Sequence, residues 1–183
     1  MKRASLRFAV VSVLLLFGCL AVRAQEAGKH PITFDDMIRL HRISEAQISP
    51  DGKWAAYTVA TPDMDANRNA SNVWLAPISG GQSAQLTQSG HDSSPVWSPD
   101  GKSIAFLSSR SGNSQVYLLS MEGGEAHQFT HLSTGADLVK WSPDGKTIAF
   151  TSSVYPDCKD DACNSIVSIS HFSLNSLFCL LHP

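Results

Sequence analysis

The stretch Trp97-Ser-Pro-Asp-Gly-Lys102-Ser-Ile-Ala-Phe106 decides the fold, because the chain contains two further copies of it. The copies are Ile48-Ser-Pro-Asp-Gly-Lys53-Trp-Ala-Ala-Tyr57 and Trp141-Ser-Pro-Asp-Gly-Lys146-Thr-Ile-Ala-Phe150. The serines stand at positions 49, 98 and 142, so the spacings are 49 and 44 residues. A repeat of this length indicates an array of similar structural units.

Each Ser-Pro-Asp-Gly segment predicts a tight turn between two β-strands. Proline presets φ for the second turn position, and glycine accepts the positive φ that follows. The serine and aspartate side chains can bond to nearby backbone groups. The structural turn residues are Pro50, Asp51, Gly52, Pro99, Asp100, Gly101, Pro143, Asp144 and Gly145.

A second element repeats between these turns at an offset of 43 residues. Val73-Trp-Leu-Ala-Pro-Ile-Ser-Gly-Gly81, followed by Gln85-Leu-Thr87, matches Val116-Tyr-Leu-Leu-Ser-Met-Glu-Gly-Gly124, followed by Gln128-Phe-Thr130. One period therefore contains four antiparallel strands, with the paired glycines forming a hairpin turn. This is the size of a propeller blade, so we predict an all-β fold, an incomplete β-propeller of about two and a half four-stranded blades. A β-sandwich is the alternative, but it does not need the same turn at the same phase three times.

The repeated aspartates Asp51, Asp100 and Asp144 invite interpretation as a metal site. They occur once per blade at one phase of a turn, so we expect them to lie too far apart to share an ion. Trp97 and Trp141 are predicted to pack between blades. No metal and no cofactor is expected.

The N-terminus has the three parts of a secretory signal. Lys2, Arg3 and Arg7 are followed by the apolar run from Phe8 to Leu20, and small or modest residues precede Gln25. Thirteen apolar residues are too few to span a membrane as a helix, so no membrane span is expected. Leu16-Phe17-Gly18-Cys19 is similar to a lipoprotein box, which makes a lipid anchor on Cys19 the alternative to cleavage. Either outcome places the mature chain in the periplasm or outside the cell.

The charge of the mature chain gives no reason to expect a nucleic acid partner. All 16 acidic residues follow position 24, together with 10 of the 14 basic residues, which leaves a net charge of −6. Nucleic acids and anionic membranes are bound by positively charged surfaces.

The blade repeat resembles the one shared by TolB-type periplasmic proteins and the prolyl oligopeptidase family of serine peptidases. Asp92 to Phe106 carries the closest likeness, whereas the third copy has Leu138 where the proline would be. Phe34 to Gly52 is similar to the start of secreted acylaminoacyl-peptidase and dipeptidyl-peptidase-like members, in which a short helix leads into the first strand. Thr33 is the expected N-cap of that helix. Tyr155 to Cys163 resembles an insertion found in such enzymes.

The resemblance implies a propeller that gates or orients peptide substrates for an α/β-hydrolase domain in a full-length parent. The nucleophile of that domain lies in a G-x-S-x-G elbow. Gly81-Gln-Ser-Ala-Gln85 and Gly112-Asn-Ser-Gln-Val116 both lack the closing glycine, so no catalytic residue is assigned and the chain alone is expected to be inactive. A TolB-like propeller that binds protein partners without chemistry is the alternative, and a non-functional fragment is compatible with either parent.

The sequence divides into four segments. We predict a signal peptide over 1–24, a lead-in with a short helix over 25–45, a partial propeller over 46–164 and an atypical apolar tail over 165–183. The tail has no Lys, Arg, Asp or Glu, which favours a frameshift or truncation over its alternative, a closing strand. Cys158 and Cys163 are predicted to form a disulfide in an oxidising compartment rather than a zinc site, which leaves Cys179 unpaired.

Overall fold

The computed structural model describes residues 30–155, 158–166 and 175–181. The signal segment 1–24 with Cys19, and the tail residues 167–174, 182 and 183, lie outside the described residues. The described elements are α1 (Phe34–Ile38), β1 (Arg42–Ile48), β2 (Trp54–Asp63), β3 (Arg68–Pro77), β4 (Ala84–Gln85), β5 (Asp92–Trp97), β6 (Ser103–Ser108), β7 (Gln115–Ser120), β8 (His127–Gln128), β9 (Asp137–Trp141), β10 (Ile148–Val154), α2 (Asp161–Ile166) and β11 (Asn175–Leu181).

The strands form three antiparallel sheets that follow the repeat. Blade 1 has the order β1-β2-β3-β4, blade 2 has β5-β6-β7-β8, and blade 3 has β11-β10-β9. Consecutive strands pair in blades 1 and 2, with the Ser-Pro-Asp-Gly turns joining the first two strands and the paired glycines joining the last two. The predicted all-β partial propeller is therefore confirmed.

The strands of blade 2 are hydrophobic because this sheet lies between the other two sheets. Because side chains alternate along a strand, Ile104 and Phe106 of β6 pack toward blade 1, whereas Ala105 and Leu107 pack toward blade 3. Strand β7 divides in the same way, with Tyr117 in the blade 1 cluster and Val116 in the blade 3 cluster. Both faces of blade 2 are buried, and both strands read as continuous apolar runs.

The unequal repeat spacing has its origin in the β2–β3 hairpin. Strands β2 and β3 contain 10 residues each, whereas β6 and β7 contain 6 each. The longer hairpin extends blade 1, and the Ser-Pro-Asp-Gly turns of blades 1 and 2 still lie side by side.

The two ends of the described fold differ from the interior. All seven residues of β1, the edge strand of blade 1, are exposed. Strand β1 begins at Arg42, inside the segment expected to lead into the first strand. Residues 175–181 form β11, which pairs with β10 from Ile148↔Leu181 to Val154↔Asn175, as in the closing-strand alternative for the tail. In the described part of the chain, neither helix could cross a membrane.

Candidate functional site

The three Ser-Pro-Asp-Gly turns have the same hydrogen bonds. Each serine hydroxyl donates to the aspartate Oδ1 at 2.6 Å and accepts from the backbone N–H of the residue after the lysine at 2.9 Å. The lysine N–H donates to the same aspartate oxygen at 3.0–3.1 Å. The glycines Gly52, Gly101 and Gly145 have φ between 70° and 72°, which explains why glycine recurs at this position.

The turn aspartates stay ionised because their partners stabilise the charged form. The serine hydroxyl is the largest of the interactions that lower the pKa of Asp51, Asp100 and Asp144, followed by the lysine backbone N–H. Among the described residues, no group of three potential ligands could hold a metal ion. The geometry gives these aspartates a role within the turn.

Consecutive turns lie against each other along the array. A Cβ placed on Gly101 would contact Cδ of Pro50 at 3.7 Å, and one placed on Gly145 would contact Cδ of Pro99 at 3.6 Å. The proline of one blade therefore packs beside the glycine of the next.

The two repeated tryptophans join each blade to the one before it. Trp97 Nε1 donates to the carbonyl of Gln47, and Trp141 Nε1 donates to the carbonyl of Val96, both at 3.2 Å. Gln47 and Val96 occupy the same repeat position, so the link is itself repeated. The packing role that the sequence predicted for these tryptophans matches this geometry.

The first strand of each blade contains a non-glycine residue with positive φ. Glu45 and Ser94 have φ of 55° and Leu138 has 49°, and the strand pairing is irregular around each of them. Leu138 therefore corresponds to Ser94, and Val139 corresponds to Pro95. The prediction that Leu138 replaces the proline is wrong by one position, because the pairing of Trp141 with Ile148 matches that of Trp97 with Ile104.

Glu45 connects the irregular positions of blades 1 and 2. Its Oε2 accepts from the N–H of Ser94 at 2.7 Å and from Oγ1 of Thr58 at 3.0 Å, while Oε1 accepts from Oγ of Ser94 at 3.0 Å. The carboxylate of one blade thus satisfies the backbone of the next. The residues at this position differ in all three blades, so no sequence motif marked it.

The first strands of the three blades line one open cleft of about 580 Å³. Glu45 and Gln47 contribute from β1, Ser94 to Val96 from β5, and Asp137 to Lys140 from β9. We call this the inner-strand cleft.

Blade 2 contains a buried ion pair. Asp92 is fully buried, and its Oδ1 accepts from Arg110 Nη2 at 2.7 Å, while Arg110 Nε donates to Ser108 Oγ at 2.9 Å. The guanidinium lies 4.7 Å from the ring centroid of Tyr117. Burial raises the pKa of Asp92, but the hydrogen bonds from Ser108 and Arg110 outweigh it, so the pKa lies below its ordinary value.

The second repeated element closes the outer part of each complete blade. Thr87 Oγ1 accepts from the N–H of Val73, and Thr130 Oγ1 accepts from the N–H of Val116, at 3.0 and 2.9 Å. This contact explains why a Gln-x-Thr sequence recurs after the paired glycines.

In the structure Cys158 and Cys163 are bonded, with their Cα atoms 5.3 Å apart. Helix α2 follows the first cysteine, and its Asp161 accepts hydrogen bonds from the N–H and Oγ of Ser133, at 3.0 and 2.7 Å. The insertion is therefore held against the connection between blades 2 and 3.

Comparison with known proteins gives two bacterial peptidases among the relatives. The uncharacterized peptidase YuxL of Bacillus subtilis is 38% identical over 109 residues, which are 58% of this chain and 17% of YuxL. Dipeptidyl-peptidase 5 of Porphyromonas gingivalis is 36% identical over 90 residues, which are 49% of this chain and 13% of the enzyme. The chain thus spans less than a fifth of the length of these relatives.

Two solved structures share the fold. The acylaminoacyl peptidase of Pyrococcus horikoshii has a TM-score of 0.55 at 16% identity, covering 68% of this chain and 19% of that chain. TolB from Agrobacterium tumefaciens has a TM-score of 0.51 at 27% identity, covering 66% of this chain and 41% of that chain. The resemblance of the repeat to both peptidase and TolB propellers is confirmed.

The family described as the Tricorn protease N-terminal beta propeller domain matches residues 61–170. This range runs from the end of β2 in blade 1 through blade 2 and includes β9 and β10 of blade 3. Because the match covers more than half of the 183 residues, the chain belongs to the Tricorn protease N-terminal beta propeller family.

Proposed function

We propose that this chain is the propeller part of an exported serine peptidase of the prolyl oligopeptidase family, and that its inner-strand cleft orients or gates peptides for a hydrolase domain. The observation that carries the proposal is the cleft of about 580 Å³, to which each of the three first strands contributes. The peptidases among the relatives support the assignment at the level of the family.

The chemistry of the cleft suits a peptide. The exposed Leu138 and the half-buried Val96 provide apolar surface, and the exposed Asp137 and Lys140 add a charge of each sign. Binding sites of this type combine an apolar lining with a few polar groups that fix orientation. A peptide carries apolar side chains and polar backbone groups, and it matches both parts.

Export is supported by two features of the chain. The N-terminal segment has the layout of a secretory signal, and the bonded Cys158 and Cys163 fit the oxidising conditions found outside the cytoplasm. A periplasmic or secreted location, with cleavage of the signal or lipidation of Cys19, is part of the proposal.

Peptide binding to the cleft can be tested with charge-reversed variants. A fluorescein-labelled pentapeptide of alanine with a central phenylalanine is titrated with the chain, and fluorescence anisotropy is recorded. Lys140→Glu places a negative charge in the cleft and is expected to raise the Kd of the anionic, fluorescein-labelled peptide by about fivefold, since a nearby charge contributes about 1 kcal/mol. Lys159→Glu makes the same change on an exposed residue outside the cleft, and the Kd is expected to stay constant. Absence of binding, or equal effects of the two variants, contradicts the proposal.

The role of a hydrolase domain is tested by the coding DNA downstream of Pro183. A reading frame that encodes a G-x-S-x-G elbow supports the peptidase. The second candidate is a TolB-like, protein-binding propeller, with which the TolB match at 27% identity is compatible, and further blades followed by a stop codon would support it. Under both candidates, serine-peptidase turnover by this chain alone is expected to be zero.

A further inference from the structure

A second cleft, of about 320 Å³, lies between the turns of blades 1 and 2. Its walls include the side chains of Trp54, Leu75, Trp97 and Met121, and the turn aspartates Asp51 and Asp100 also line it. It shares no lining residue with the inner-strand cleft. We call it the turn cleft.

The fold does not explain the tryptophan at position 54. The turn uses only the backbone N–H of this residue. The equivalent residues Ser103 and Thr147, whose side chains are small and polar, donate the same backbone hydrogen bond. Trp54 is nevertheless 40% exposed. An indole that the turn does not require therefore stands at the surface beside the buried Trp97.

The two carboxylates keep acceptor capacity for a ligand. Their Oδ1 atoms are occupied by the turn, but Oδ2 of Asp51 has only an exposed ion pair with Lys53 at 3.7 Å, which contributes little. Oδ2 of Asp100 makes no hydrogen bond and no ion pair with any residue that the structure describes. The turn hydrogen bonds keep both groups ionised at neutral pH.

We propose that the turn cleft binds the side chain of an arginine in a peptide. A guanidinium stacks on aromatic rings, is attracted to their faces, and forms paired hydrogen bonds with carboxylates. The alkyl stem of arginine matches the apolar surface of Met121 and of the Trp54 indole. A neutral side chain lacks the Coulomb attraction to the two carboxylates, so the cleft is expected to select for positive charge.

The probe for the site is Nα-acetylarginine amide, with Nα-acetylcitrulline amide as a neutral analogue of nearly the same shape. The ¹H–¹⁵N signals of the indole groups report binding at Trp54 and Trp97 of the full chain. We expect saturable shifts with the arginine probe, and a Kd for citrulline higher by about two- to fivefold or more, the range of a partly exposed cation–π contact.

Two variants and a matched control locate the binding to this cleft. Trp54→Ser introduces the residue that blade 2 has at the equivalent position, and Asp100→Asn removes one charge. Both are expected to raise the Kd for the arginine probe by about two- to fivefold. Asp144→Asn makes the same change in a turn that has the same hydrogen bonds but does not line the turn cleft, and its Kd should equal that of the wild type. The proposal is overturned if citrulline binds as tightly as arginine, or if Asp144→Asn weakens binding as much as Asp100→Asn.

Discussion

Replacing Arg110 with methionine tests whether a buried charge pair stabilises blade 2. Methionine keeps much of the side-chain volume and removes the guanidinium that donates to Asp92 at 2.7 Å. Asp92 is 0% exposed, whereas the Arg110 side chain is 28% exposed. The two partners therefore differ in how far solvent can replace the lost interaction.

The difference in burial sets the expected free energies of unfolding. Arg110→Met leaves an uncompensated carboxylate in the interior and is expected to cost about 3–5 kcal/mol. Asp92→Asn leaves a guanidinium that can reach solvent while keeping its contact with Tyr117, so we expect a smaller cost of about 1–3 kcal/mol. The double variant should cost less than the sum of the single variants, because each removes the same interaction.

Urea unfolding of the full chain, followed by tryptophan fluorescence, measures these free energies. A loss of about 3 kcal/mol corresponds to a decrease in Tm of roughly 6–12 °C for a chain of this size. Arg42→Met is the control, since Arg42 is exposed and has no ion pair within the described residues. The reasoning is refuted if Asp92→Asn costs more than Arg110→Met, or if the two costs are additive.

Three further outcomes follow from the same contacts. Ser98→Ala removes a buried hydroxyl that makes two hydrogen bonds within its turn, and it should lower the free energy of unfolding in urea by about 1–3 kcal/mol. Ser142→Ala, in the more exposed third turn, should cost less, and the reverse order would contradict the role of burial. Leu138→Gly relieves a positive φ at a 69% exposed side chain and should raise the free energy of unfolding by about 1 kcal/mol, so a loss of stability would show that the side chain packs instead. The lowered pKa of Asp92 stabilises the fold above the unfolded-state value of 3.8, and this contribution is lost as the pH falls through the folded-state pKa. Acid titrations of stability should therefore be steeper for the wild type than for Asp92→Asn, and parallel curves would exclude this origin.

The turns and their spacing could be predicted because their chemistry is local. Proline and glycine restrict the backbone of the same four residues that form the turn, and three copies establish the period. The contacts of Trp97 and Trp141 could be expected only in general terms. The identity of the acceptor depends on how neighbouring blades pack, and two backbone carbonyls carry no sequence signal.

The inner-strand positions and the ion pair could not be predicted in the same way. Glu45, Ser94 and Leu138 adopt positive φ although none of them is glycine or asparagine, the residues that usually indicate this conformation. Their conformation accompanies the irregular pairing with the adjacent strand. For Asp92 a signal did exist. The equivalent residues are Ile43 and Ala136, so an aspartate at an otherwise apolar position pointed to a compensating charge.

The positive-φ residues of the first strands also affect what the inner-strand cleft can hold. A regular, exposed strand edge offers a row of N–H and C=O groups to which an extended chain can add as a further strand. At Glu45, Ser94 and Leu138 this row is interrupted, as at a β-bulge, and Glu45 already accepts from the N–H of Ser94. A peptide held there, as proposed, would be recognised mainly through its side chains, so the cleft should discriminate between peptides by their composition.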